Sequence, residues 1–92
     1  MKKAVRLIVQ GTVQGVFFRQ FCQENADKLQ LRGFARNLEN GDVEIILEGE
    51  PENILKMIEE CKKGPAHSNI RNVKIEERKY SGDFTGFRVL RF

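Results

Sequence analysis

The chain has 92 residues, 40% of them apolar or aromatic and 32% charged, and 16 basic against 13 acidic side chains leave a net charge of +3. That is core enough for one compact domain, too balanced in charge for a dedicated polyanion binder, and too rich in Phe, Val, Ile and Leu for disorder. No apolar run nears the ~18 residues of a membrane span, and Arg6 and Gln10 break any apolar leader behind Met1-Lys2-Lys3, so residues 1–92 are expected to form a single soluble, cytoplasmic domain.

Val5, Leu7 and Val9 alternate with Arg6, Ile8 and Gln10, the period-2 pattern of a strand. Gly11 to Gly15 interrupts it. From Phe18 the period changes: Phe18, Cys22, Asn25/Ala26 and Leu29 share one helical face, and Gly33 reads as the stop. Phe34–Leu38 and Val43–Leu47 are short strands flanking Asn40-Gly41, a strong hairpin signal. Pro51 suits the first turn of a second helix, whose apolar stripe is Ile54, Leu55, Ile58 and Cys61 and which ends at Gly64-Pro65. Ile70–Lys79 alternates again, and Phe87–Phe92 is a last short edge strand. The order β-α-β-β-α-β with an extra C-terminal strand predicts an α+β, ferredoxin-like sandwich: an antiparallel sheet with both helices on one face. That plan hosts many functions and decides none.

Cys22 and Cys61 are too few for a disulfide framework and lack metal-ligand spacing. They read as reduced, buried thiols, with a single bridge as the alternative. The lone His67 belongs to no metal constellation, and no metal or other cofactor is expected.

The informative segment is Gly11-Thr12-Val13-Gln14-Gly15-Val16-Phe17-Phe18-Arg19, joining the first strand to the first helix. A helix start leaves N–H groups unpaired, and Ser, Thr, Asp or Asn usually satisfies one. Positions 13 to 19 hold none of these. Free donors, the helix dipole and permissive glycines describe an anion site, to which Arg19 would add a planar, permanent cation. Residues 1 to 23 contain four basic residues and no acid, whereas residues 39 to 60 carry eight acids against Lys56 alone, so an anion is steered to the N-terminal region. An ordinary water-capped loop is the plainer alternative. The segment is neither a Walker loop nor a dinucleotide fingerprint.

This segment, followed by Gly33-Phe34-Ala35-Arg36-Asn37 and Asn40-Gly41-Asp42-Val43-Glu44, resembles the acylphosphatase family. Glu48-Gly49, Lys63-Gly64-Pro65 and Phe87-Arg88-Val89 fit the same pattern, so the resemblance spans nearly the whole chain. It implies hydrolysis of acyl phosphates to carboxylate and inorganic phosphate. It also implies that Arg19 binds the substrate, that Asn37 holds the nucleophilic water, and that a backbone cradle formed by Gln14, Gly15, Val16, Phe17, Phe18 and Arg19 receives the phosphate. The expected partners are a small acyl phosphate and inorganic phosphate as product and competitive inhibitor, with no nucleic acid, no membrane and a monomeric state. Departures from the pattern are Ala35 for a common Val, Asn40 for Asp, and Leu38 where some relatives carry Ser or Thr.

The chemistry is consistent with these residue types. The leaving group is a carboxylate of reference pKa about 4, which departs without a general acid, and phosphoryl transfer is chiefly positioning and charge neutralisation. On its position alone Asn37 could equally be a hairpin-entry residue bonding backbone. Two other functions compete: a regulatory domain that binds an anion without turnover, and an RNA-recognition module of the same topology. Arg32-Gly33-Phe34-Ala35 begins like an RNA-binding octapeptide, but Arg36 and Asn37 break it, and the third strand has no stacking aromatic.

Overall fold

Alternating apolar residues build the first strand, β1 (Lys3–Thr12), in the computed structural model, which describes residues 1–14 and 17–91. There follow α1 (Phe18–Lys28), β2 (Arg32–Asn37), β3 (Val43–Gly49), α2 (Pro51–Lys63), β4 (Asn69–Arg78) and β5 (Phe87–Leu90). The strands lie in the order β4-β1-β3-β2-β5. Neighbours are antiparallel except β2 and β5, which run parallel. The sheet is therefore mixed, not purely antiparallel as the element order suggests. β5 follows a long connection from the far edge rather than a hairpin, and that connection lets it enter beside β2 in the same direction.

Both helices cover one face, where Leu7, Val9, Ala35, Val43, Ile45 and Leu47 meet Phe18, Cys22 and Ala26 of α1 and Ile54, Met57, Ile58 and Cys61 of α2. In α2 the spacing i, i+3, i+4, i+7 from Ile54 selects Met57. Leu55, read as part of this stripe, is instead 64% exposed because it lies about one-quarter turn off that face. In β4, a register shift opposite Gln10 and Gly11 brings Ile70 and Val73, three residues apart, onto the same core.

Helix α1 does not stop at Gly33. It ends with Gln30 at φ 56°, the Gln30 N–H bonding the Asp27 carbonyl (3.2 Å) and the Leu31 N–H bonding the Ala26 carbonyl (2.9 Å). This is a Schellman closure with glutamine in the left-handed position. Gly33 lies inside β2 at φ 141°, where a Cβ would collide with the Ile46 carbonyl.

The opposite face is covered in part, over β2 and β3, while β4 stays largely exposed. The β4–β5 connection crosses it, held by the Glu48 carboxylate, which accepts hydrogen bonds from the Ser81 N–H (3.0 Å), Ser81 hydroxyl (2.8 Å) and Gly82 N–H (3.0 Å), and by Phe84 against Phe34. Beside it Glu44 bridges Arg6 and Arg36, and Arg6 reaches Glu76, an ion-pair ladder across four strands. Burial tends to raise the Glu44 carboxyl pKa, but hydrogen bonds from Arg36 and Arg6 outweigh it and hold the group below the ordinary range.

Candidate active site

Topology explains why residues far apart in sequence meet. β1 and β2 both run antiparallel to β3, so they are parallel to each other, and β5 is parallel to β2. Their C-terminal ends therefore emerge on the same side of the sheet. The loop after β1, Asn37 at the end of β2, and Leu90-Arg91 at the end of β5 converge there. They enclose a cleft of about 210 Å³ lined by Val13, Gln14, Phe17, Phe18, Arg19, Gln20, Asn37 and Arg91. A second hollow of about 160 Å³ shares Arg19, Asn37 and Arg91 and adds Leu90.

The start of α1 forms one wall. Its first helical bond runs from the Phe21 N–H to the Phe17 carbonyl (3.0 Å), so the N–H groups of Phe18, Arg19 and Gln20 precede the helical ladder. Among the described residues no side chain caps the helix, and its first turn contains no acid. In α2, by contrast, Pro51 removes one donor and Glu52 faces the dipole. At the cap position of α1, Phe17 sits at φ 59°, ψ 28°, and the residue is 80% exposed. A left-handed aromatic residue costs about 1–2 kcal/mol, and such strain is concentrated where a site demands it.

Arg19 is held from the side: its Nη1 donates to the Leu90 carbonyl at 2.9 Å. Asn37 Oδ1 is inaccessible to solvent and has no hydrogen-bond partner among the described residues. A buried amide oxygen left unpaired is uncommon and costly. The Gln14 side chain turns toward the β2–β3 loop, where Nε2 donates to the carbonyls of Leu38 and Asp42, each at 3.1 Å.

A larger hollow of about 500 Å³ opens at the opposite end of the sheet, beside Lys2, Arg32, Gly49 and Gly86. Asp27 and Glu50 offset its two cations, so it does not select an anion. Among the described residues no three His, Cys, Asp or Glu side chains gather as a metal would require, and no helix is long and apolar enough to cross a membrane.

The sequence matches the acylphosphatase family over residues 5–89. The chain belongs to the acylphosphatase family. It is 42% identical over 87 residues to an acylphosphatase of Rubrobacter xylanophilus, covering 95% of this chain and 79% of that protein. The solved acylphosphatase structure from Coxiella burnetii superposes with a TM-score of 0.92 at 38% identity, covering 97% of this chain and 93% of that one. The Bacillus subtilis acylphosphatase structure superposes with a TM-score of 0.93 at 34% identity, covering 99% and 100%. The protein is thus an acylphosphatase, a hydrolase of acyl phosphates.

Of the residues expected at an acylphosphatase site, Arg19 and Asn37 come together in one cleft, with Gln14, Phe17 and Phe18 in its walls. Gly15 and Val16, also expected in the cradle, lie outside the described residues. Sequence reasoning missed the Gln14 side-chain tether, the Leu90 carbonyl behind Arg19, and Arg91. None has a local signal, because all three depend on where β5 and the β2–β3 loop end in space. All seven residues of β3 are buried, whereas a base-stacking strand presents exposed aromatic side chains.

Proposed function

We propose that Arg19 and the amide N–H groups at the start of α1 hold the phosphoryl group of an acyl phosphate, while Asn37 holds the attacking water. One observation carries this reading: Arg19 and Asn37 line the same cleft at an uncapped helix start, and the Asn37 side-chain oxygen has no partner among the described residues.

In this reading the guanidinium and the amides spread the negative charge of the equatorial oxygens. A neutral amide both donates and accepts, so Asn37 can orient a water opposite the departing oxygen. The water oxygen forms the new bond to phosphorus as the phosphorus–acyl oxygen bond breaks. The carboxylate leaves with the electron pair, and the water proton passes to a phosphate oxygen. No protein acid or base is consumed, which suits a cleft wall made of Arg, Asn, Gln and Phe. An alkyl phosphate, with a far more basic leaving group, gains too little from charge neutralisation alone to turn over.

Benzoyl phosphate hydrolysis with and without a chelator tests this, alongside an alkyl phosphate. We expect chelator-resistant turnover of the acyl phosphate only, competitively inhibited by inorganic phosphate. Activity lost to chelator and restored by magnesium, or purely noncompetitive inhibition, contradicts the scheme. We further propose that the domain works as a monomer in the cytoplasm. Light scattering on the purified protein checks the monomer.

A further inference from the structure

We infer that Gln14 is a positioning residue, which sets the distance between the phosphate cradle and Asn37 by fastening the loop after β1 to the loop after β2. The inference rests on the water-holding role proposed for Asn37.

Gln14 is part of the loop that leads into α1, five residues before Arg19 in sequence. Its Nε2 carries two N–H donors, and both are used: one on the Leu38 carbonyl and one on the Asp42 carbonyl, each at 3.1 Å. Two carbonyl acceptors fix which end of the amide faces them, since an amide oxygen there would meet two more oxygens. Leu38 directly follows Asn37. Its own N–H bonds the Asp42 carbonyl at 2.8 Å, so the carbonyls that Gln14 grips belong to the residues closing the β2–β3 loop.

That loop is braced independently of Gln14. Asp42 N–H bonds Asn40 Oδ1 (3.0 Å), Asn40 Nδ2 bonds Asp42 Oδ2 (3.1 Å), and Gln10 Nε2 reaches the same carboxylate (3.3 Å). Gly41 N–H closes on the Leu38 carbonyl at 3.2 Å. The β2–β3 loop is thus a stiff anchor, and the segment after β1 is what the Gln14 tether places. β1 and β2 are not hydrogen-bonded neighbours, because β3 separates them. Register through β3 relates the two strands only as far as Val9 and Asn37, which both pair with Val43. Beyond that point β1 pairs with β4 alone, up to Thr12, and the side chain of Gln14 supplies a direct link from the following loop to the residue after Asn37. Water attack in line with the leaving oxygen depends on this relative placement, and a misplacement of ~1 Å can cost ~100-fold.

The variants Gln14→Glu and Gln14→Met keep length and remove the two donors, the first adding a charge and the second none. Either one that retains the native circular dichroism spectrum serves. Steady-state hydrolysis of benzoyl phosphate and the competitive inhibition constant of inorganic phosphate are measured for it, for Asn37→Ala, and for the double variant. We expect kcat to fall by roughly 10- to 100-fold with the phosphate inhibition constant changed less than about threefold, and the double variant to be no slower than Asn37→Ala. Unchanged kcat overturns the inference, as does a loss confined to phosphate affinity. So does a double variant whose deficits multiply, because Gln14 would then act apart from Asn37. If Asn37→Ala itself keeps its turnover, the water-holding reading fails, whatever Gln14 does.

Discussion

The Arg19 guanidinium is tied by a 2.9 Å hydrogen bond from Nη1 to the carbonyl oxygen of Leu90, the last residue of β5. One corner of the planar fork is thereby fixed, and its remaining donors are aimed by that anchor. A lysine ammonium cannot hold Leu90 and also present two parallel donors to a phosphate. Charge-assisted hydrogen bonds contribute about 1.5–3 kcal/mol each. Losing two should lower kcat/KM by roughly 100- to 10,000-fold in Arg19→Ala. We expect Arg19→Lys to recover little of it, and phosphate affinity to fall in both, as read by calorimetry. A lysine variant with near-native kcat/KM would show that point charge suffices.

Gly33 is the most constrained position of β2. Its φ of 141° is glycine territory, and a Cβ would overlap the Ile46 carbonyl of the neighbouring strand. Gly33→Ala should cost about 3 kcal/mol or more, a fall in Tm of roughly 10–20 °C for a domain of this size. Because the same strand ends in Asn37, activity should fall with stability. Thermal unfolding by circular dichroism decides; a fall under about 2 °C would mean that the two strands can part without cost.

The left-handed Gln30 offers the opposite case. Gln30→Gly keeps both closing hydrogen bonds and removes the side-chain penalty of φ 56°, so a gain of about 0.5–1 kcal/mol is expected. Gln30 lies at the far end of α1 from Arg19, so kcat should not change. A lowered Tm would indicate that the glutamine side chain stabilises the fold in a way the backbone geometry does not reveal.

Glu48 sets an acid limit on stability. Burial pushes its carboxyl pKa up, but the Ser81 N–H and hydroxyl, the Gly82 N–H and the nearby Arg78 charge prevail and hold it below the ordinary carboxylate range. A carboxyl whose pKa is lower folded than unfolded contributes stability that is present above the unfolded pKa of about 4.3. That stability is lost as pH falls through the folded value. Glu48→Gln should therefore unfold at lower urea than the native chain at pH 7, and the gap between the two should close below about pH 4. A gap that stays constant from pH 7 to pH 3 would assign the deficit to shape rather than ionisation.

Much of this architecture is legible in the residues. Val5-Leu7-Val9 announces β1, Pro51 the start of α2, and Asn40-Gly41 the turn region between β2 and β3. Missing caps around Val13–Arg19 flag the proposed anion site, because a helix start without Ser, Thr, Asp or Asn is a local feature. Gly33 misleads because a glycine four residues after a helical stripe looks the same whether it ends the helix or lets two strands approach. Only the Ile46 carbonyl distinguishes them, and it lies on another strand. The parallel entry of β5 is likewise invisible, since hydrophobic alternation carries no direction. The grip of Gln14 on Leu38 and Asp42 is non-local in the same sense: loop composition places Gln14 near the site but cannot say which way the side chain turns.

The central claim is that Arg19 binds the phosphate and Asn37 acts only on the water. The direct measurement is Asn37→Ala, with benzoyl phosphate turnover and calorimetric phosphate affinity determined on folded protein. The account predicts turnover reduced to a small residual rate, with phosphate affinity within about threefold of the native enzyme, since the amide is assigned to the water and not to the phosphate. Phosphate affinity lost as severely as in Arg19→Ala, or turnover largely retained, would contradict it.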